Sequence, residues 1–234
     1  MKNLVENLSL ALKKEEPLPP FETNFDMRTA YQIQQEVTSR VYSSELIGLK
    51  AGVTSNDMQT SLGITEPLIG SLFEANKLPP RPRIPYREGR LIECELAVIS
   101  DQKGNVHAIA AAIEFAVIGF QRKDDLNGPN LVAGNVAVEK FLLGTQYSDI
   151  DLLQDQKVEL FHEENLVNSS DLDISLGGAT NAASFIADEA TRRNYVIPDR
   201  CIFLTGACGK VFPGASGKYL ATFGALGELH FEIV

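Results

Sequence analysis

The chain has 234 residues, 44% of them hydrophobic, with a formal net charge of -10 at pH 7 and a pI near 4.8. That is enough apolar material to bury a core in one domain with an N-terminal elaboration, and the acidic balance argues against nucleic acid or an anionic membrane as the main partner. No run is long enough to span a bilayer, the opening Met1-Lys-Asn-Leu-Val-Glu-Asn carries an acid where a signal peptide has its apolar core, and the three cysteines (Cys94, Cys201, Cys208) have no framework spacing, so a protein of the reducing cytoplasm is expected.

Leu4, Leu8 and Leu12 recur at helical spacing over residues 3 to 16, and Pro17-Leu-Pro-Pro20 ends that helix. A second amphipathic helix runs from Asp26 to about Ser43 on the stripe Ala30, Ile33, Val37 and Val41. Leu46 to Thr54 reads as a short buried strand carrying one cation, Lys50. Lysines are almost never fully buried unpaired, so Lys50 either snorkels to the surface or faces an anion inside. Ser55 is a cap for a short helix through Leu62. Gly63 to Gly70 is turn-rich and Ser71 to Glu74 irregular, which predicts a loop bordering a cleft, and Pro79 to Arg83 is an extended connector.

Leu91 to Ile99 is the strand of greatest interest. Side chains alternate along a strand, so Glu93 and Glu95 share a face about 7 Å apart, and Cys94 between them points the other way, as a small core residue. A third acid, Glu114, lies in the apolar run Ala110 to Ile118. Two carboxylates about 5 Å apart at an effective dielectric near 20 repel by roughly 3 kcal/mol, so three mutual pairs would cost on the order of 10 kcal/mol, which a marginally stable domain can hardly carry. A divalent ion removes that cost, and an all-oxygen ligand set with open positions is what Mg²⁺ or Mn²⁺ prefer. The residue pattern alone also allows Glu93 on the solvent face of an edge strand and Glu114 paired with an arginine.

Beyond this strand, Val106 to Ala112 is too short to assign as helix or strand. Gln121 to Gly134 reads as loop and Asn135 to Leu143 as a helix ending at Gly144. Lys157 to His162 and Asn165 to Asn168 form a hairpin, and a helix runs from about Asn181 to Asn194 with Thr180 as its cap. Cys201 to Thr205 is a buried strand entering a turn at Gly206, and Tyr219 to Phe223 pairs with Glu228 to Val234. Gly214 to Tyr219 has neither the length nor the Ser/Thr of a phosphate-binding loop. His107, His162 and His230 lack metal spacing, and no nucleophile with a matching His and acid is visible.

Several short motifs carry more than composition does. Ala30-Tyr31-Gln-Ile-Gln34, Gly48-Leu-Lys50-Ala-Gly52-Val-Thr54, Leu62-Gly63-Ile-Thr-Glu66-Pro67 with Gly70-Ser-Leu72, Ile92-Glu93-Cys-Glu95-Leu, Ala112-Ile-Glu114, Ala179-Thr-Asn181-Ala-Ala183 and Leu204-Thr205-Gly206-Ala207 stand in this order. From about residue 25 to the C-terminus the chain thereby resembles the 2-keto-4-pentenoate hydratase and 2-oxo-hexenedioate decarboxylase branch of the fumarylacetoacetate hydrolase superfamily. The resemblance implies an α+β fold, a mixed β-sandwich roll with N-terminal helices: residues 1–83 as a helical region packed on a β-rich metal-binding core, 84–234, in one structural unit. It implies a homo-oligomer, and a Mg²⁺ or Mn²⁺ ion on Glu93, Glu95 and Glu114.

The same resemblance implies a lyase, with hydration of a small 2-hydroxy-dienoic or 2-keto acid as the expected reaction. Lys50 and Glu93 would be catalytic; Lys50, Asn135 and Thr205 would bind the substrate. Same-superfamily alternatives are decarboxylation of a 2-oxo-enedioate and hydrolysis of an acylpyruvate; a non-catalytic keto-acid-binding or structural relative is the alternative of another class. Two departures bear on this. Leu68 stands where many hydratases carry an acid, and Ala133-Gly134-Asn135-Val136-Ala137 where the family often shows Ala-Asp-Asn-x-Ser.

Overall fold

The leucine stripe of the N-terminus forms α1 (Lys2–Lys13) in the computed structural model, which describes residues 2–234. The next stripe forms α2 (Met27–Val41), whose first turn is closed by the Asp26 carboxylate accepting from Thr29 N at 2.8 Å. The two pack together through Val5, Leu8, Ile33 and Val37. From α2 the buried Gln34 amide donates to the carbonyls of Ile69 and Val132, each at 3.0 Å, which ties the helices to the sheet below.

Twelve strands follow: β1 (Leu46–Gly52), β2 (Leu68–Phe73), β3 (Arg83–Ile84), β4 (Arg90–Ser100), β5 (Val106–Val117), β6 (Val138–Leu143), β7 (Lys157–His162), β8 (Asn165–Asp171), β9 (Cys201–Ala207), β10 (Phe212–Pro213), β11 (Gly217–Thr222) and β12 (Glu228–Ile233). The larger sheet runs β2-β1-β9-β4-β5-β6, with β10 added on β4; the smaller runs β3-β12-β11-β7-β8. Both are mixed, since β1 lies parallel to β9 and β3 parallel to β12 among antiparallel pairs. The alternation of β4 and β5 decides what each face does. Ile92, Cys94, Leu96, Ile113 and Phe115 turn to the smaller sheet and join Tyr219, Phe231 and Leu160 in the main core, where Phe115 meets Phe231 edge-on at 5.1 Å. Glu93, Glu95 and Glu114 therefore fall on the other face.

The expected α+β architecture with mixed sheets is present, but several elements differ from the sequence reading. Residues 68–73 are not loop. They form the fully buried β2, because Gly70 and Ser71, which read as turn residues, pack against the Asn135 loop, and Ser71 N donates to Asn135 Oδ1 at 2.7 Å. Since β1 and β2 belong to the larger sheet, a division at residue 83 does not follow the sheets. Residues 138–143 form β6 rather than a helix, since Asn135, Val136 and Ala137 all take left-handed backbone (φ 60, 52 and 61°) and deliver the chain into pairing with β5. The expected short helix after Ser55 is α3 (Asn56–Ser61), capped by Ser55, and within the expected loop Gly128–Ala133 is a short helix, α4, capped by Asn127. The last helix, α5 (Ala179–Arg192), starts two residues before its expected first residue, with Asp173 Oδ1 rather than Thr180 receiving an N-terminal N–H, that of Ala179, at 2.6 Å. No helix among the described residues is long and apolar enough to cross a membrane.

Candidate metal centre and its cleft

Register places the acids. In the antiparallel pair of β4 and β5, Glu93 stands directly opposite Glu114, an arrangement of like charges that sheets avoid. Glu95 is one step along on the same face, and carboxylate oxygens of all three lie within 4.8 Å of one another. β4 is a central strand between β5 and β9, so neither the edge-strand position for Glu93 nor the arginine partner for Glu114 is found.

Lys50 comes from two strands away. Its register partner on β9 is Leu204, and one step further β9 bulges: Glu95 pairs with Ala207 but Ala97 with Leu204, leaving Thr205 and Gly206 together opposite Leu96, one residue in excess. Gly206 has φ +98°, and a Cβ there would lie 2.6 Å from Thr54 Cγ2 and 2.8 Å from Ser175 Oγ, so only glycine fits. Its N–H turns to Glu95 and donates to Oε2 at 2.9 Å. The Lys50 Nζ then reaches Glu114 Oε1 at 3.1 Å, an ion pair whose angles fall outside hydrogen-bond geometry. Lys50 is 3% exposed, and Glu95 and Glu114 are 0%. Of the two alternatives for Lys50, the anion inside is the one observed.

Charge and satisfaction both come out short. Three carboxylates face one ammonium, and at under 5 Å each carboxylate pair costs about 3 kcal/mol at an effective dielectric of 20. Glu95 Oε1 and both oxygens of Glu114 are buried without a hydrogen-bond donor. Burial pushes the Glu93 carboxyl up to about 7, helped by Glu114 and opposed by Lys50, and burial with the same neighbours pushes Glu95 well above the ordinary range. For Lys50 burial works downward, but the carboxylates led by Glu114 outweigh it and raise its pKa. A hard divalent cation answers each of these observations: it supplies the two missing positive charges and a partner for orphaned oxygens. The donor set, all oxygen and without His or Cys, fits such an ion.

A cavity of ≈ 320 Å³ opens beside the acids. Only Glu93 of the three lines it, together with Lys50, the Gly206 bulge and a wall of aliphatic side chains such as Val53, Met58, Ile118 and Val136. Val53 (φ 57°) and Val136 (φ 52°) are β-branched residues held in the left-handed region, each at a cost on the order of 1–3 kcal/mol that the packing around the cleft sustains. No aliphatic residue of this wall was singled out as functional from sequence, because a cleft-lining valine and a core valine carry the same local signal.

Two residues expected to bind substrate are committed elsewhere. Thr205 Oγ1 donates to Leu96 O at 3.0 Å, closing the bulge, and the residue is 2% exposed. Asn135 clamps β2, accepting from Ser71 N at 2.7 Å and donating to Ser71 O at 3.0 Å, and it is 1% exposed. Neither lines the cavity. The two departures also acquire a physical reason. A Cβ on Gly134 would lie 2.5 Å from Leu18 Cδ1, so an aspartate there would require the Leu18 side chain to move aside. Leu68 is buried in the main core and does not line the cleft.

No family model matches the chain. It is similar to 2-keto-4-pentenoate hydratase 1 of Dechloromonas aromatica (strain RCB), at 29% identity over 213 residues, 82% of this chain and 80% of that protein. Among solved structures, 4-oxalocrotonate decarboxylase from Pseudomonas putida G7, complexed with magnesium and adipate, is similar with a TM-score of 0.88 at 18% identity over 99% of this chain and 96% of that one. Fumarylpyruvate hydrolase from Pseudomonas aeruginosa, in complex with Mn²⁺ and pyruvate, gives a TM-score of 0.60 at 16% identity over 80% and 89%.

Proposed function

We propose, from the premise that the chain belongs to the fumarylacetoacetate hydrolase superfamily and to its 2-keto-4-pentenoate hydratase branch, that it is a divalent-metal-dependent hydratase of a small 2-hydroxy-dienoic or 2-keto acid. The observation that carries the reading is the deficit of positive charge at Glu93, Glu95 and Glu114, three clustered acids against one lysine, of which Glu93 opens with Lys50 into a largely apolar cleft. Those three residues would hold Mg²⁺ or Mn²⁺. When bound, such an ion supplies Lewis-acid stabilisation of the negative charge that develops on an oxygen next to a carboxylate.

The chain's own residues supply the rest. Gly206 N–H fixes one Glu95 oxygen, so that carboxylate is oriented before any ligand arrives. Lys50, held as an ammonium by the acids around it, binds the substrate anion and donates or recovers the proton that moves between the C2 hydroxyl and carbon as dienol and ketone exchange. Glu93, the acid that opens to the cavity, is the one positioned to contact the reacting acid. The aliphatic wall limits how much water enters, so the water that adds to the double bond does so in an ordered, low-dielectric site.

The test is to incubate the protein with Mg²⁺ and 2-hydroxypenta-2,4-dienoate, or its dicarboxylate analogue, and to follow dienol absorbance and product mass. Loss of absorbance with gain of one water is the expected result. Loss of carbon dioxide would reassign the reaction to decarboxylation, cleavage of a carbon–carbon bond to hydrolysis, and no change in either acid would leave keto-acid binding without catalysis.

A further inference from the structure

Among the described residues, the acid cluster receives a single hydrogen bond, from Gly206 N–H to Glu95 Oε2 at 2.9 Å. The direction of that N–H therefore sets how Glu95 is presented. Gly206 does not fix it alone, because glycine accepts either sign of φ and leaves the peptide plane between Thr205 and Gly206 free to rotate. The other edge of that plane is held. Thr205 C=O and Gly206 N–H belong to one planar peptide group and point to opposite sides of it, and Ser175 Oγ donates to Thr205 O at 2.7 Å. Ser175 hydroxyl, peptide 205–206 and Glu95 carboxylate thus form one continuous chain of hydrogen bonds, in which each bond polarises and strengthens the next.

Ser175 is itself anchored. It is 9% exposed and opens the turn 175–177 that leads into α5. Leu176, Gly177 and Gly178 are all left-handed there (φ 54, 77 and 101°), a conformation that leucine rarely adopts. The turn is tied down by Asn181 Nδ2 donating to Gly177 O at 2.8 Å and by Asp173 Oδ1 accepting from Ala179 N at 2.6 Å. A buried hydroxyl that needs only a partner finds one on its own helix, as Ser9 does at Val5 O and Thr38 at Gln34 O. Ser175 instead reaches a carbonyl 30 residues away, in the bulge of β9.

We propose that Ser175 is a positioning residue of the metal centre: through the Thr205–Gly206 peptide it aims the Gly206 N–H at Glu95 Oε2, leaving the donorless Oε1 for a divalent ion. This rests on the metal reading of the acid cluster and adds to it a residue that does not line the cleft.

The test is Mn²⁺ binding to the metal-free full chain, measured by calorimetry at a temperature where each variant is folded. Ser175→Ala removes the donor; Ser175→Cys, with a similar shape and a weak donor, takes its place if alanine lets the turn unfold. Thr205→Val is the comparison, since it frees the same bulge from Leu96 O without touching the peptide relay. The dissociation constant should rise about 10-fold in the Ser175 variant, as for other groups that orient a metal ligand, and stay within about threefold of the parent in Thr205→Val. A rise under about threefold in the folded Ser175 variant, or an equal rise in Thr205→Val, overturns the inference and leaves the metal centre standing. A parent that binds no Mn²⁺ overturns the metal reading together with the inference.

Discussion

Two buried carboxylate centres share β4, and they are built in opposite ways. At one end Glu139 of β6 accepts from Arg90 Nε at 2.6 Å, from Arg90 Nη2 at 2.8 Å and from Arg87 Nη1 at 2.9 Å: one anion, two cations, both of its oxygens paired. Burial alone would raise the Glu139 carboxyl, but the two arginines outweigh it and hold it below the ordinary range. Three residues along from Arg90 the balance inverts, with Glu93, Glu95 and Glu114 facing Lys50 alone and orphaned oxygens on two of them. A chain that satisfies one buried acid so completely has the means to satisfy the others. The difference separates a closed structural pair from a centre left open for a ligand of positive charge.

The largest effect comes from breaking the closed centre. Glu139→Ala leaves Arg90, 5% exposed, without its carboxylate, and chemical denaturation should show a loss of about 3–5 kcal/mol. The same kind of removal at the open centre should do the reverse to stability and damage the chemistry. Glu95→Gln relieves repulsion, so the metal-free protein should be as stable as the parent or more so, while kcat/KM falls about 10²- to 10³-fold, roughly 2.7–4 kcal/mol of transition-state stabilisation.

The two centres also predict opposite pH signs. A carboxyl held low in the fold contributes stability that is present above its unfolded value and lost as pH falls through the folded one, which is the behaviour of Glu139. Glu93, raised from 4.5 to about 7, binds more protons folded than unfolded in that window. Metal-free protein should therefore lose stability at this centre as pH rises from about 4.5 to 7. Comparing the parent with Glu93→Gln across that range isolates the effect, on the order of 1–2 kcal/mol, less than the full shift because Glu93 is partly open to solvent. The smallest effect sharpens the boundary of the site. Thr205→Val removes the bond to Leu96 O and should cost about 1 kcal/mol in stability with KM unchanged; a selective rise in KM would return Thr205 to the substrate side.

Much of the open centre was legible from residue order. Alternation alone put Glu93 and Glu95 on one face and Cys94 in the core, and the rarity of unpaired buried lysine marked Lys50. What could not be read was register. Nothing local says that Glu114 stands opposite Glu93, or that a bulge at Thr205 and Gly206 turns the Gly206 N–H onto Glu95. Asn135 and Thr205 have side chains that serve a ligand or the backbone equally well, and here a long-range partner, Ser71 or Leu96, takes them. The missed strands β2 and β6 share one reason: the left-handed segment 135–137 leads into β6 and packs on Gly70 and Ser71 of β2, a tertiary contact that no local signal reports.

The most direct test of the open centre is the melting temperature of metal-free protein titrated with Mg²⁺ and Mn²⁺, run beside Glu95→Gln. A centre that binds a divalent ion should stabilise the parent by about 2.7 kcal/mol at a hundred times the dissociation constant, with the shift abolished in Glu95→Gln. A parent that melts at the same temperature with and without either ion, or a Glu95→Gln variant that responds as the parent does, would contradict it.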